Sequence, residues 1–349
     1  IKLQSGAETA HVALAVEICL AETFIKMMVN AASMYKVKNG TLIIPSGKTL
    51  TVPDGSNVKL KLENNGTVSC GSSVTFKKDV VNNDTLYCGM GGTSTFEGEY
   101  SGTGTFYASN ILTVFKKNTN FSNASYFNSA NGEIVLYSSS SDTISFTAKD
   151  GMALNQFYFW GNTNIVVTGS ISANQIGMHN SHNPTWNASS DYTAKITGTG
   201  TINIGMGIMG TGIYIDRCSA TDGVIGTLEI DTIVNCDSKL ETHAGTKLVI
   251  NEGKSLSVNS FGHKDKNTPP KAQVDIKGNL VVTNTMDLSE ATGESTAGAN
   301  QINISSTGKL TAKNIKWTNA AAYANASDTN PFINNGVVEI SESITLPNF

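Results

Sequence analysis

The hydrophobic pattern changes period once along the chain. From residue 8 to residue 35 it follows the helical interval. Glu8, His11, Glu22, Lys26, Asn30 and Ser33 collect on one narrow face, while Val12, Leu14, Val16, Ile18, Leu20, Phe24, Ile25, Met27 and Met28 fill the remainder. Glu22 and Lys26 stand four apart in the favourable order. The pattern predicts one helix over 8–35, covered on most sides, with Glu17 in need of a partner. After Val37 the period becomes two and stays two. Short alternating runs follow, among them Thr41–Ile44, Thr49–Val52, Val58–Leu62, Thr67–Cys70, Ile134–Tyr137, Asn164–Thr168, Thr201–Ile204, Lys247–Ile250, Gln273–Ile276 and Val337–Ile340. Gly, Asn, Ser and Asp bound nearly all of them. The expected architecture is therefore all-β over 37–349, behind an N-terminal helical segment, 1–36, that acts as a cap or in assembly.

Within the β body a short unit recurs. Gly40-Thr-Leu-Ile-Ile-Pro-Ser-Gly-Lys-Thr-Leu-Thr-Val52 aligns with Gly245-Thr-Lys-Leu-Val-Ile-Asn-Glu-Gly-Lys-Ser-Leu-Ser-Val258, and parts of it return at Gly226–Ile230, Gly278–Val282 and Gly308–Ala312. The unit reads strand, tight turn, strand. Copies begin 19, 33 and 30 residues apart from Gly226 to Gly308, the irregular spacing of a solenoid with loops inserted into some coils. The cysteines agree with stacking. Cys70 and Cys88 are 18 apart, Cys218 and Cys236 are also 18 apart, and Cys19 is left over. Neighbouring parallel strands lie ~4.8 Å apart, a disulfide needs Cα atoms ~4.4–6.8 Å apart, and a coil takes roughly 20 residues. The two pairs are disulfide candidates or, equally, small thiols turned into a core.

Turn–strand units of this form resemble the coils of bacterial secreted and surface β-helix proteins, including adhesin and autotransporter passengers. The resemblance is sharp in the quoted segments and loose over the rest of 37–349. It implies a pectin-lyase-like fold: a single-stranded right-handed parallel β-helix with an N-terminal capping α-helix, placed outside the cell or on its surface. It implies no particular activity, since this architecture hosts enzymes, adhesins, phage spikes and structural proteins.

Composition narrows the function classes. Lys plus Arg total 24 and Asp plus Glu 28, a net charge of −4, so no positive field is available to bind nucleic acid. Charged residues make up 15% of the chain against ~25% on average, which leaves solvation to Ser, Thr, Asn and Gly. The longest apolar stretch, 10–34, carries His11, Glu17, Glu22 and Lys26, too many ionisable groups for a membrane span.

Four places could carry chemistry. Asp216, Arg217, Asp222, Asp231 and Asp237 fall within about one coil, and β-helix lyases and inverting hydrolases use basic groups and clustered carboxylates of this kind. A Gly-His-Gly element joined to an Asp pair is missing. The segment 178–187 holds His179, His182 and Trp186, suited to stacking on and hydrogen bonding to a sugar; two histidines without a third ligand do not make a metal site. In Phe157-Tyr-Phe-Trp160, inward phenylalanines would leave Tyr158 and Trp160 either as an exposed aromatic pair or under a covering loop. Gly205–Gly210 matches G-x-G-x-x-G, but a strand-like run follows where a dinucleotide site needs a helix, so no cofactor is expected.

Long polar loops are expected at 174–191, 259–272, 285–300 and 318–331, lined up along one side. The final residues are strand-like, and an uncapped edge invites pairing. With the low charge and the apolar N-terminal helix, this points to head-to-tail self-association. The function expected is an extracellular structural or adhesive protein, self-assembling as a filament or surface-layer subunit, with a glycan as a candidate partner. The alternatives are a polysaccharide lyase or hydrolase and a glycan-binding phage-spike module.

Overall fold

The computed structural model describes residues 28–29, 36–139, 142–178, 190–205, 211–216, 224–243, 245–264, 272–288, 301–316 and 332–345. Among the described residues every regular element is a β-strand, and no helix is long and apolar enough to cross a membrane. The strands pack as two units. One comprises the described residues up to Lys117 together with Asn123–Gly132, the other Asn118–Ser122 together with the described residues from Glu133 onward.

In the first unit three strands recur in rotation, each pairing in parallel with its counterpart one repeat away. Thr49–Val52, Thr67–Cys70, Thr85–Tyr87, Thr105–Tyr107 and Tyr126–Asn128 form one stack, with Thr49, Thr67, Thr85, Thr105 and Tyr126 in register. Thr41–Ile44, Lys61–Asn64, Val80–Asn82 and Tyr100–Ser101 form the second. Ser56–Val58, Val74–Phe76, Thr93–Phe96 and Leu112–Phe115 form the third. Alternation sends every second side chain inward. Because the register is fixed, like stacks on like. Phe76, Phe96 and Phe115 form a ladder with centroids 4.8 and 4.9 Å apart. Two buried asparagines do the same with hydrogen bonds. Asn64 Nδ2 donates to Asn82 Oδ1 at 2.7 Å and to the Thr85 carbonyl at 2.9 Å, and Asn82 Nδ2 donates to the Thr105 carbonyl at 2.9 Å. Each amide thus satisfies the carbonyl of a threonine that opens a strand of the first stack.

The second unit uses the same pairing with longer excursions. Val234, Leu256, Leu280 and Leu310 stack in register, as do Phe261, Met286 and Ile315. The quoted repeat at 245–258 becomes the strands Thr246–Ile250 and Ser255–Lys264, the counterpart of Thr41–Ile44 and Thr49–Val52. Register shifts recur at one position of successive repeats, between Cys236 and Lys239, Val258 and Phe261, and Val282 and Thr285. Here the chain bends between stacks without a full turn. The glycines opening the repeats are required by close approach: a Cβ at Gly278 would strike the Asn251 carbonyl, and one at Gly308 the Ile276 carbonyl.

Two expectations are corrected. The expected helix over 8–35 does not reach its end, because Met28–Val29 is a strand pairing antiparallel with Leu50 and Thr51. The edge of a parallel stack supplies backbone partners that outweigh a helical pattern in the last turns. Lys36–Lys38 then forms a hairpin with Thr41–Ile43. Asn39 and Gly40 make its turn at φ 49° and 73°, the Asn-Gly geometry that suits strand twist. The rest of 1–35 lies outside the described residues. The second correction concerns the disulfides. Ser69 faces Tyr87, so Cys70 and Cys88 are stacked neighbours as their spacing implies, yet both are free thiols. They fill inward positions as small apolar side chains. Cys236 is also free, and its register partners are Ile204 and Val258. A repeat at that point is 32 residues long by the Ile204–Cys236 pairing, so a position 18 earlier is not its stacked neighbour. Cys218 lies outside the described residues.

Candidate functional site

The strand Ala153–Trp160 sets up the densest polar group. Phe157 and Phe159 point into the core, each 1% exposed. Tyr158 and Trp160 take the opposite face, as alternation requires, but they are 5% and 4% exposed. Of the two arrangements left open by the sequence, an exposed aromatic pair or a covered strand, the burial of both side chains fits the covered one. The Tyr158 hydroxyl lies 3.3 Å from Gln156 Oε1 and 3.2 Å from Gln175 Oε1. Burial pushes its phenol well above the usual range, and the Glu133 charge adds to this.

Register carries that face along the unit. Tyr158 pairs with Gly177, Gly177 with Tyr214, Tyr214 with Glu241 and Glu241 with Gly262. Asp216 follows Ile215, which faces Thr242, and so stands beside His243. The result is a compact charge cluster. His243 Nε2 is 3.0 Å from Glu241 Oε1, and Lys239 Nζ is 2.9 Å from Glu241 Oε2. The other imidazole nitrogen, Nδ1, lies 3.9 Å from Asp216 Oδ1. Tyr214 lays its ring 4.7 Å from the imidazole and points its hydroxyl at Asp216 Oδ2, 3.5 Å away. Burial and the two carboxylates raise the Tyr214 phenol. Glu241 and His243 are buried, whereas the side chains of Asp216 and Lys239 are 29% and 33% exposed.

The imidazole lies between Asp216 and Glu241, one nitrogen toward each. The remaining aspartates belong elsewhere. Asp231 accepts from Thr197 Oγ1 at 3.2 Å and pairs with Lys195 at 3.0 Å and Lys254 at 3.9 Å. Burial would raise its carboxyl, but Lys195 outweighs burial and holds it below the usual range. Asp237 is exposed at the register shift after Cys236, where its charge adds to the burial that pushes the Cys236 thiol up to about 11. No described contact joins Asp231 or Asp237 to Asp216. Arg217, Asp222, His179, His182 and Trp186 lie outside the described residues, as do most of the expected loops 174–191, 285–300 and 318–331 and half of 259–272.

Lys239, Glu241, His243 and Tyr214 were not singled out from the sequence. Their signal was present as Lys-Leu-Glu-Thr-His over 239–243, three ionisable residues at period two. It reads as an ordinary solvated strand face until the structure shows that the face is buried. Among the described residues no group of three or more His, Cys, Asp and Glu is arranged to hold a metal ion.

The first unit offers a different surface. In its first stack the outward positions are Thr49, Thr51, Thr67, Ser69, Thr85, Tyr87, Thr105, Tyr107, Tyr126 and Asn128. Tyr87 and Tyr107 stack at 4.4 Å, and Tyr126 leans on Tyr107 at 5.8 Å. Tyr87 and Tyr126 are 41% and 49% exposed. The other two stacks of the unit carry charge, with Lys61 on Asp79 and with Lys77 and Lys116 on Glu97. The chain matches no protein-family model, no curated protein and no solved structure.

Proposed function

We propose that the chain is a right-handed parallel β-solenoid that acts outside the cell or on its surface as a structural and adhesive protein without catalytic activity. One observation carries this reading. In the dense acid–base group at Asp216, Tyr214, Lys239, Glu241 and His243 the imidazole lies between the two carboxylates and Lys239 pairs with Glu241, so these groups engage one another. Parallel register supports the solenoid, and the strong right-handed preference of parallel crossovers supports the hand. The Ser-, Thr- and Asn-rich surface with few charges supports an exterior location. Head-to-tail self-association belongs to the same proposal, supported by Val337 and Ile344, which are 49% and 55% exposed on the strand Val337–Thr345. The test is incubation with a panel of acidic and neutral polysaccharides, followed by assays for reducing ends and for unsaturated products. We expect neither to accumulate. Accumulation with the native chain, abolished in Asp216→Asn or His243→Ala, would overturn the reading.

A further inference from the structure

The tyrosine ladder of the first unit stops abruptly. Tyr107 covers one face of the Tyr87 ring at 4.4 Å with an interplanar angle of 13°. On the other side the register places Ser69, and beyond Ser69 stands Thr51. Successive rungs lie ~4.8 Å apart, about the thickness needed to add another ring to the stack, and a serine side chain is too small to fill that layer. The second face of Tyr87 is therefore open above Ser69. Beside this gap runs a row of hydroxyls, Thr49, Thr67, Thr85 and Thr105, in register on the same stack. None of the ten outward positions carries a charge; Lys48, Asp54 and Asp84 flank the strands without standing on them.

We propose that this face binds a neutral saccharide, with one sugar ring stacked on Tyr87 over Ser69. The charge distribution selects the class. An acidic polysaccharide would need cations that the face lacks, and a charged protein surface would meet no complement there. A pyranose presents an apolar C–H face to the phenol ring and a rim of hydroxyls to the threonine row and to the Tyr87 and Tyr107 phenol groups. Those phenols have no hydrogen-bond partner among the described residues. The proposal deepens the adhesive reading and rests on it, since a binding face of this kind needs no reacting group.

The test is affinity electrophoresis of the full chain in native gels containing soluble neutral polysaccharides (galactomannan, mixed-linkage β-glucan, hydroxyethyl cellulose, dextran), with polygalacturonate as the acidic counterpart. Two variants carry it. Tyr87→Ala removes the platform. Ser69→Ile fills the gap over Tyr87 with an aliphatic side chain and offers no new ring. At least one neutral polymer should retard the native chain, and both variants should weaken that retardation at least ten-fold. If Tyr87→Ala fails to fold, Ser69→Ile decides alone. Retardation by none of the neutral polymers, retardation by polygalacturonate alone, or native-like binding by Ser69→Ile would overturn the proposal and leave the non-enzymatic reading intact. Release of reducing ends from the same mixtures would instead overturn that reading, whatever the binding.

Discussion

His243→Ala is the most informative single change. Glu241 is a buried carboxylate, and its partners include the imidazole at 3.0 Å and the Lys239 ammonium at 2.9 Å. Removing one partner of a fully buried pair costs about 3–5 kcal/mol, because the remaining charge is left without compensation. Two features reduce that figure here. Lys239 stays, and its side chain is 33% exposed, so water screens part of the field. The expected loss is about 2–3 kcal/mol, combining the broken contact with the emptied space beneath the Tyr214 ring. With a urea m-value of about 3 kcal/mol/M, the midpoint should fall by roughly 0.7–1 M. Glu241→Gln should cost less, about 1 kcal/mol, since a neutral amide keeps a hydrogen bond without the charge. The double variant should lose less than the sum, because both changes remove one interaction. Urea unfolding followed by circular dichroism reads all three. A His243→Ala midpoint within 0.2 M of the native chain, or strictly additive losses, would refute the claim that the cluster is a mutually supporting structural device.

Three further outcomes are expected. Phe96→Ala should destabilise the first unit by about 3–5 kcal/mol, because Phe96 is fully buried between Phe76 and Phe115; a loss below 1 kcal/mol in urea unfolding would contradict the ladder. The Cys88 thiol, pushed up to about 12 chiefly by burial, should resist iodoacetamide at pH 8 in the folded chain and react on unfolding, and mass spectrometry of native-state alkylation would reveal a discrepancy. Glu97 is held below its ordinary 4.5 because Lys77 and Lys116 outweigh its desolvation. Its contribution should be complete above pH 4.5 and lost as the pH falls through the lower folded-state value, so the urea midpoints of the Lys77→Gln and native chains should differ above pH 4.5 and converge below the folded-state value.

Much of the fold was legible in the chain. The switch to period two after Val37, the Gly-bounded strand pairs at 40–52 and 245–258 and the 18-residue spacing of Cys70 and Cys88 all depend on local chemistry: alternation, turn residues and the length of a repeat. The same local reading missed the strand at Met28–Val29. Whether a segment with helical periodicity becomes a strand depends on an open backbone edge, here that of Thr49–Val52, which the segment itself does not contain.

The site was less legible, for a related reason. Alternation correctly put Phe157 and Phe159 on one face and Tyr158 and Trp160 on the other, but it carries no information about what covers the second face. Register along Tyr158, Gly177, Tyr214, Glu241 and Gly262 depends on repeat lengths that vary with every inserted loop. His243, 27 residues on, therefore proved to be a neighbour of Asp216. The sequence by itself determined strand character, inward and outward positions and the low charge of the surface. Only the tertiary structure decided which outward residues meet, because stacking distance is set by pairing between repeats and not by separation along the chain.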